Sequence, residues 1–119
     1  RNVSKLESKL YLVPTPIGNL GDFTYRGKDI LDKVNKIYAE DTRTSKKLLI
    51  KYKISTPLFS YHQHNEHYIV EALIKEIKEK KIRIALISDA GTPGISDPGY
   101  LLVNKARENN INVFCYFII

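Results

Sequence analysis

The residues with the greatest capacity for chemistry lie in one short stretch, Ser88-Asp89-Ala90-Gly91-Thr92-Pro93-Gly94-Ile95-Ser96-Asp97-Pro98-Gly99. Its twelve residues hold three glycines, two prolines and two aspartates. An apolar run (Ile84-Ala85-Leu86-Ile87) leads into it, and a helix pattern follows it. Asp97 before Pro98 is the pairing of an N-cap carboxylate with a proline at the first helical position, so Asp97 has a structural task. Asp89 has no such task. It stands where a strand ends, the place at which an open α/β sheet meets its ligands. We therefore expect Asp89 to contact a ligand.

Two further clusters have the same character. Pro14-Thr15-Pro16-Ile17-Gly18-Asn19-Leu20-Gly21-Asp22 follows an apolar run, and its two prolines and two glycines give the backbone a tight, defined path along which amides can approach a ligand. It is neither a G-x-G-x-x-G dinucleotide loop nor a phosphate-binding loop with its lysine. Glu40-Asp41-Thr42-Arg43 places two carboxylates beside an arginine. That group reads either as an internal ion pair at a helix start or as a polar wall facing a ligand or a hydroxyl. His62, His64 and His67 fall close together, but no second cluster of Cys or His completes a four-coordinate metal site, so no metal is expected.

Basic residues are concentrated. Between Arg43 and Lys53 lie five positive charges and no acid. Arg43, Lys47 and Lys51 recur every four residues and share one helix face, with Lys46 beside them. Such a stripe is either a solvated surface or a track for a phosphate backbone. The whole chain of 119 residues carries 19 Lys and Arg against 13 Asp and Glu, a net charge of +6, which leans toward polyanionic partners. The single cysteine, Cys115, excludes an intrachain disulfide and fits a cytoplasmic protein. The longest apolar run, seven residues from Val113, is far short of the roughly 20 that a membrane-spanning helix needs.

These clusters need a scaffold, and the periodicity supplies one. Strands are expected over residues 9–13 (ended by Pro14), 36–39, 57–61, 82–88 and 111–114. Helices are expected over 25–35 behind a Thr24 cap, 43–52 behind a Thr42 cap, 66–80, and from Asp97 to the Asn109-Asn110 pair. The stripes Ile30, Leu31, Val34; Val70, Leu73, Ile74, Ile77; and Leu102, Val103, Ala106 have amphipathic helix spacing and face the core. The apolar run at 84–87 implies a strand covered on both faces. Strict β-α alternation predicts an α/β fold: an open, mostly parallel five-stranded sheet with crossover helices on both faces. All three chemical clusters then fall on one edge of the sheet.

In order and spacing, Val13 to Asp22, Ala39 to Arg43, His64-Asn65-Glu66 and Ser88 to Gly99 resemble the small-subunit ribosomal RNA methyltransferase I family of the tetrapyrrole methylase superfamily. The likeness runs from about Lys9 to Val113. It implies an N-terminal α/β domain followed by a second domain, S-adenosylmethionine bound between them, a homodimer, and methylation of a cytidine 2′-hydroxyl in 16S ribosomal RNA or the small ribosomal subunit. By position, Pro14, Thr15, Pro16, Ile17, Gly18, Asp89, Ala90, Gly91 and Thr92 would line the cofactor site, with Ile95 and Ser96 near it. Glu40, Asp41 and Arg43 would face the catalytic cleft, and Arg43, Lys46, Lys47 and Lys51 would meet RNA. Where the family continues with a Pro-Gly-Pro-Ser-Ala-like loop, this chain reads Cys115-Tyr116-Phe117-Ile118-Ile119. We therefore expect residues 1–119 to be the first domain alone, to bind cofactor weakly and not to turn over. Two other readings stay open: methylation of a tetrapyrrole carbon, against which stands the first loop (Thr-Pro-Ile-Gly-Asn-Leu-Gly-Asp rather than G-x-G-x-G-D), and a non-catalytic RNA-binding or dimerisation module.

Overall fold

The computed structural model describes residues 9–15, 25–39, 42–61, 66–89 and 97–115. In chain order the elements are β1 (Leu10–Thr15), α1 (Tyr25–Lys33), β2 (Lys36–Ala39), α2 (Thr42–Lys51), β3 (Leu58–Ser60), α3 (Glu66–Lys80), β4 (Ile84–Asp89), α4 (Asp97–Glu108) and β5 (Val113–Cys115). The strands form one sheet in the order β3-β2-β4-β1-β5, and every pairing is parallel. The alternating pattern thus folds as expected, because parallel neighbours require a crossover element between them.

Two apolar layers sandwich the sheet. On one side Ile30, Leu31 and Val34 from α1 and its end, with Leu48 and Leu49 of α2, pack on Tyr11, Val13, Ile37, Ala39, Ala85 and Ile87. On the other, Val70, Leu73, Ile74 and Ile77 of α3 and Leu102, Val103 and Ala106 of α4 pack on Leu10, Leu12, Tyr38, Ile84 and Leu86. Consecutive strand residues alternate between the two layers, which is why β4 is buried at each of Ile84, Ala85, Leu86 and Ile87. The helical stripes read from the sequence are the buried faces in each case.

The chain departs from the expected boundaries at several ends. Thr42 and Asp97 are the first residues of α2 and α4 rather than caps ahead of them, differences of one residue. Pro14 does not end β1, which continues to Thr15. The reason lies in the hydrogen-bond geometry. The Leu10 N–H donates to Asn112 O on the β5 side at 3.2 Å, while Lys9 O accepts from Ile84 N–H on the β4 side. Alternation along the strand therefore turns position 14 toward β5, and the described β1–β5 register stops at Leu12↔Cys115. The missing proline N–H costs no bond to β4, against which Pro14↔Ser88 and Thr15↔Asp89 remain in register.

Three helices end in a left-handed residue. After α2 the N–H of Lys53 (φ 57°) donates to Ile50 O and that of Ile54 to Leu49 O; after α4 the N–H of Asn110 (φ 59°) donates to Arg107 O and that of Ile111 to Ala106 O. Both are Schellman turns whose following isoleucine is buried. After α3, Lys81 (φ 56°) donates its N–H to Ile77 O at 3.0 Å. A lysine in this conformation is strained by about 1–2 kcal/mol, and glycine would return part of that through its freer unfolded chain. We expect Lys81→Gly to raise stability by about 0.5–1 kcal/mol. A urea unfolding midpoint that falls instead would show the position to be unstrained.

At the amino edge of the sheet, Lys36 donates to Glu76 of α3 at 2.7 Å and sits 5.4 Å from the Phe59 ring centre. The hydrogen bond to Glu76 raises the Lys36 pKa above its ordinary 10.5 despite partial burial. Burial raises the neighbouring Tyr38 hydroxyl above its ordinary 10.0, against the opposing charge of Lys36. Both groups contribute stability that is complete below their unfolded values and lost as pH rises through the raised ones. The melting temperature should therefore hold from neutrality to about pH 10 and fall beyond it, and Lys36→Met should remove part of that fall. A melting temperature indifferent to alkaline pH would contradict this assignment.

Candidate functional site

Because all five strands are parallel, their carboxyl ends share one edge. The three strands that carry the sequence clusters, β2, β4 and β1, are the three central ones and are adjacent in that order. Thr15 stands opposite Asp89, and Ala39 opposite Ile87. The strand ends that precede the three clusters in sequence thus lie next to one another.

This edge is also where the topology divides. From β1 the chain passes to α1 on one face, and from its neighbour β4 it passes to α4 on the opposite face. Helices that leave adjacent strands in opposite directions open a crevice beyond the strand ends, the usual ligand position in such sheets. The same divergence separates β4 from β2, whose helix α2 lies on the α1 side. Asp89 ends the strand common to both divergences.

Of the expected site residues, Pro14 and Thr15 are the last two residues of β1, and Asp89 is the last of β4. Pro16, Ile17, Gly18, Glu40, Asp41, Ala90, Gly91, Thr92, Ile95 and Ser96 lie outside the described residues, as do His62 and His64. Arg43 occupies the first turn of α2 and is exposed, and Lys46, Lys47 and Lys51 are exposed on the same helix. Ser45, Leu48 and Leu49 turn the opposite side of α2 inward. Among the described residues no group of three or more His, Cys, Asp or Glu gathers in a metal-binding arrangement, and no helix is long and apolar enough to cross a membrane.

Two features escaped the sequence reading. Ile50 is 67% exposed on α2, and Tyr68 is 83% exposed in the first turn of α3, on the carboxyl-edge side. The helical wheel contains the signal for Ile50: at three and four residues from Lys47 and Lys46 it falls inside the basic stripe, not on the buried side. A groove of about 230 Å³ on the far flank, lined by Glu71, Ile74, Lys75, Lys78, Glu79 and Asn109, is remote from the cluster-bearing edge and mixed in charge.

Comparison with known proteins agrees with this geometry. The family model for tetrapyrrole (corrin/porphyrin) methylases matches residues 9–116. A ribosomal RNA small subunit methyltransferase I of Vibrio cholerae is 51% identical over 87% of the chain, and one of Bacillus subtilis is 56% identical over 83%. The chain spans only 36% and 34% of those relatives' lengths. Among solved structures, a cobalt precorrin-4 methyltransferase superposes with a TM-score of 0.70 at 12% identity, covering 92% of this chain and 45% of that one. A uroporphyrin-III C-methyltransferase of Thermus thermophilus gives 0.67 at 16%, covering 96% and 49%. These two likenesses speak for the fold alone. The match of the family model over nearly the whole chain, on a sheet whose central strand ends carry the three clusters, has one conclusion: this chain belongs to the tetrapyrrole (corrin/porphyrin) methylase family.

Proposed function

We propose that the chain is the N-terminal, cofactor-binding part of an S-adenosylmethionine-dependent methyltransferase that modifies a cytidine 2′-hydroxyl of 16S ribosomal RNA, acting in the cytoplasm as a homodimer. The observation that carries this reading is that β1 and β4 end side by side, Thr15 opposite Asp89, while their following helices lie on opposite faces of the sheet. The names and half-identity of the relatives support ribosomal RNA as the substrate. The solved tetrapyrrole methyltransferases are too distant in sequence to favour a tetrapyrrole carbon.

S-adenosylmethionine carries a positively charged sulfonium and an amino group, and an acidic residue at a strand end, Asp89, has the chemistry to suit both. When bound it supplies an electrophilic methyl group. The residues Pro14 to Gly18 and Asp89 to Thr92, with Ile95 and Ser96, would hold and orient it toward a ribose oxygen. Methylation of a ribose hydroxyl would also require a group that takes up its proton. Glu40 and Asp41 are placed by sequence directly after β2, beside β4, and take the roles of proton acceptor and orienter, with Arg43 next to them. The remaining length of the relatives supplies the other wall of the pocket.

The test is transfer of a labelled methyl group to small ribosomal subunits, by this chain and by a version extended to the relatives' full length. A 2′-O-methyl group blocks alkaline cleavage at its own nucleotide, so the label should appear in an alkali-resistant dinucleotide that begins with cytidine. We expect that product from the extended protein and none from residues 1–119. Label released by alkali, or carried by a base, would rule the reading out.

A further inference from the structure

We propose that the outer face of α2 is a track for single-stranded RNA that leads along the flank of the domain to the carboxyl edge, with Ile50 seated against sugar or base between the phosphates. The proposal rests on the methyltransferase reading only for the identity of the RNA.

Charge separates α2 from the other helices. Lys28 and Lys33 of α1 pair with Asp32 and Asp29 at 2.7 and 3.2 Å. Lys105 of α4 lies 3.8 Å from Glu108 and 4.0 Å from Glu71, and α3 places four glutamates among its lysines. Between Arg43 and Lys53 there is no acid at all, and Arg43, Lys46, Lys47, Lys51 and Lys53 are all exposed. Such a face gives a positive field that its own helix does not cancel, which suits a polyanion.

Direction adds to charge. Helix α2 begins just after the carboxyl end of β2 and returns toward the opposite edge, so Arg43 stands nearest the crevice and Lys51 farthest from it. At 1.5 Å per residue these two are about 12 Å apart along the axis. That length spans a few phosphates of a single strand. Within the stripe Ile50 exposes 67% of its surface. Ile50 lies in the last turn of α2 between Lys46, Lys47 and Lys51, where a nucleic acid would offer it apolar sugar and base surface between phosphates.

The experiment measures binding of a fluorescein-labelled single-stranded fragment of 16S ribosomal RNA to the 119-residue chain between about 50 and 200 mM salt. Each phosphate contact contributes about 0.7 to the slope of log affinity against log salt. The charge reversal Lys47→Glu with Lys51→Glu should lower affinity at least tenfold and flatten the slope by more than about 1. Ile50→Ala should weaken binding several-fold and leave the slope unchanged, because its contribution is not electrostatic. Lys75→Glu with Lys78→Glu, on the α3 flank, is the control and should change affinity less than twofold. Equal losses on both flanks, or no loss on α2, would overturn the track. Folding of each variant is checked by urea unfolding. S-adenosylmethionine binding, measured separately in the extended protein, distinguishes the two failures. Cofactor binding that persists while the α2 variants bind RNA normally sinks the track alone, whereas loss of both cofactor and RNA binding in the parent sinks the methyltransferase reading with it.

Discussion

Replacing Asp89 by alanine in the extended protein is expected to weaken S-adenosylmethionine binding by about 10- to 100-fold while leaving the unfolding midpoint nearly unchanged. Asp89 ends β4, the central strand from which the chain turns to the face opposite α1 and α2, and it stands in register with Thr15 at the end of β1. A hydrogen bond to a charged group is worth about 1.5–3 kcal/mol, and each 1.4 kcal/mol is a factor of ten. Asp89→Asn keeps the shape and one acceptor but loses the charge, so it should fall between the two. Calorimetric titration separates the outcomes. Wild-type affinity in Asp89→Ala would remove this residue from the cofactor site.

The largest effect on stability is expected from Leu102→Ala. Leu102 is fully buried, in the layer where α4 meets Leu10, Leu12, Ile84 and Leu86. Truncating a buried leucine removes its transfer free energy and leaves a cavity that the packed sheet fills only in part, at a cost of about 2–5 kcal/mol. For a domain held by about 5–15 kcal/mol this is a severe loss. The urea midpoint should fall sharply with the slope of the transition unchanged. The same variant should also weaken cofactor binding, because α4 is the helix into which the segment after Asp89 leads. A midpoint shift below about 1 kcal/mol would mean that α4 is held chiefly by other contacts.

The architecture was legible because its signals are local and repeated. The buried run Ile84 to Ile87 demanded cover on both faces, and the stripes on the helices provided it. The ends were less legible, for reasons that lie outside the local sequence. Pro14 reads as a strand terminator, yet the side of β1 that its nitrogen faces is set by the register with β5, a strand some hundred residues later. Lys53 and Lys81 occupy conformations that favour glycine, so neither helix end carries the usual marker. At the candidate site, parallel topology was enough to bring the strand ends that precede the three clusters to one edge. Ile50 was missed because an aliphatic residue in a helix is presumed to face inward. The helical wheel, which puts it among the basic residues and away from Ser45, Leu48 and Leu49, held the signal.

On the proposed function, the carboxyl ends of β1 and β4 border one wall of an S-adenosylmethionine pocket. Calorimetric titration of S-adenosylmethionine into residues 1–119 and into the version extended to the relatives' length tests it most directly. We expect clear binding by the extended protein and weak or no binding by the shorter chain. Absence of binding by both would contradict it and leave RNA binding without methyl transfer as the activity of this domain.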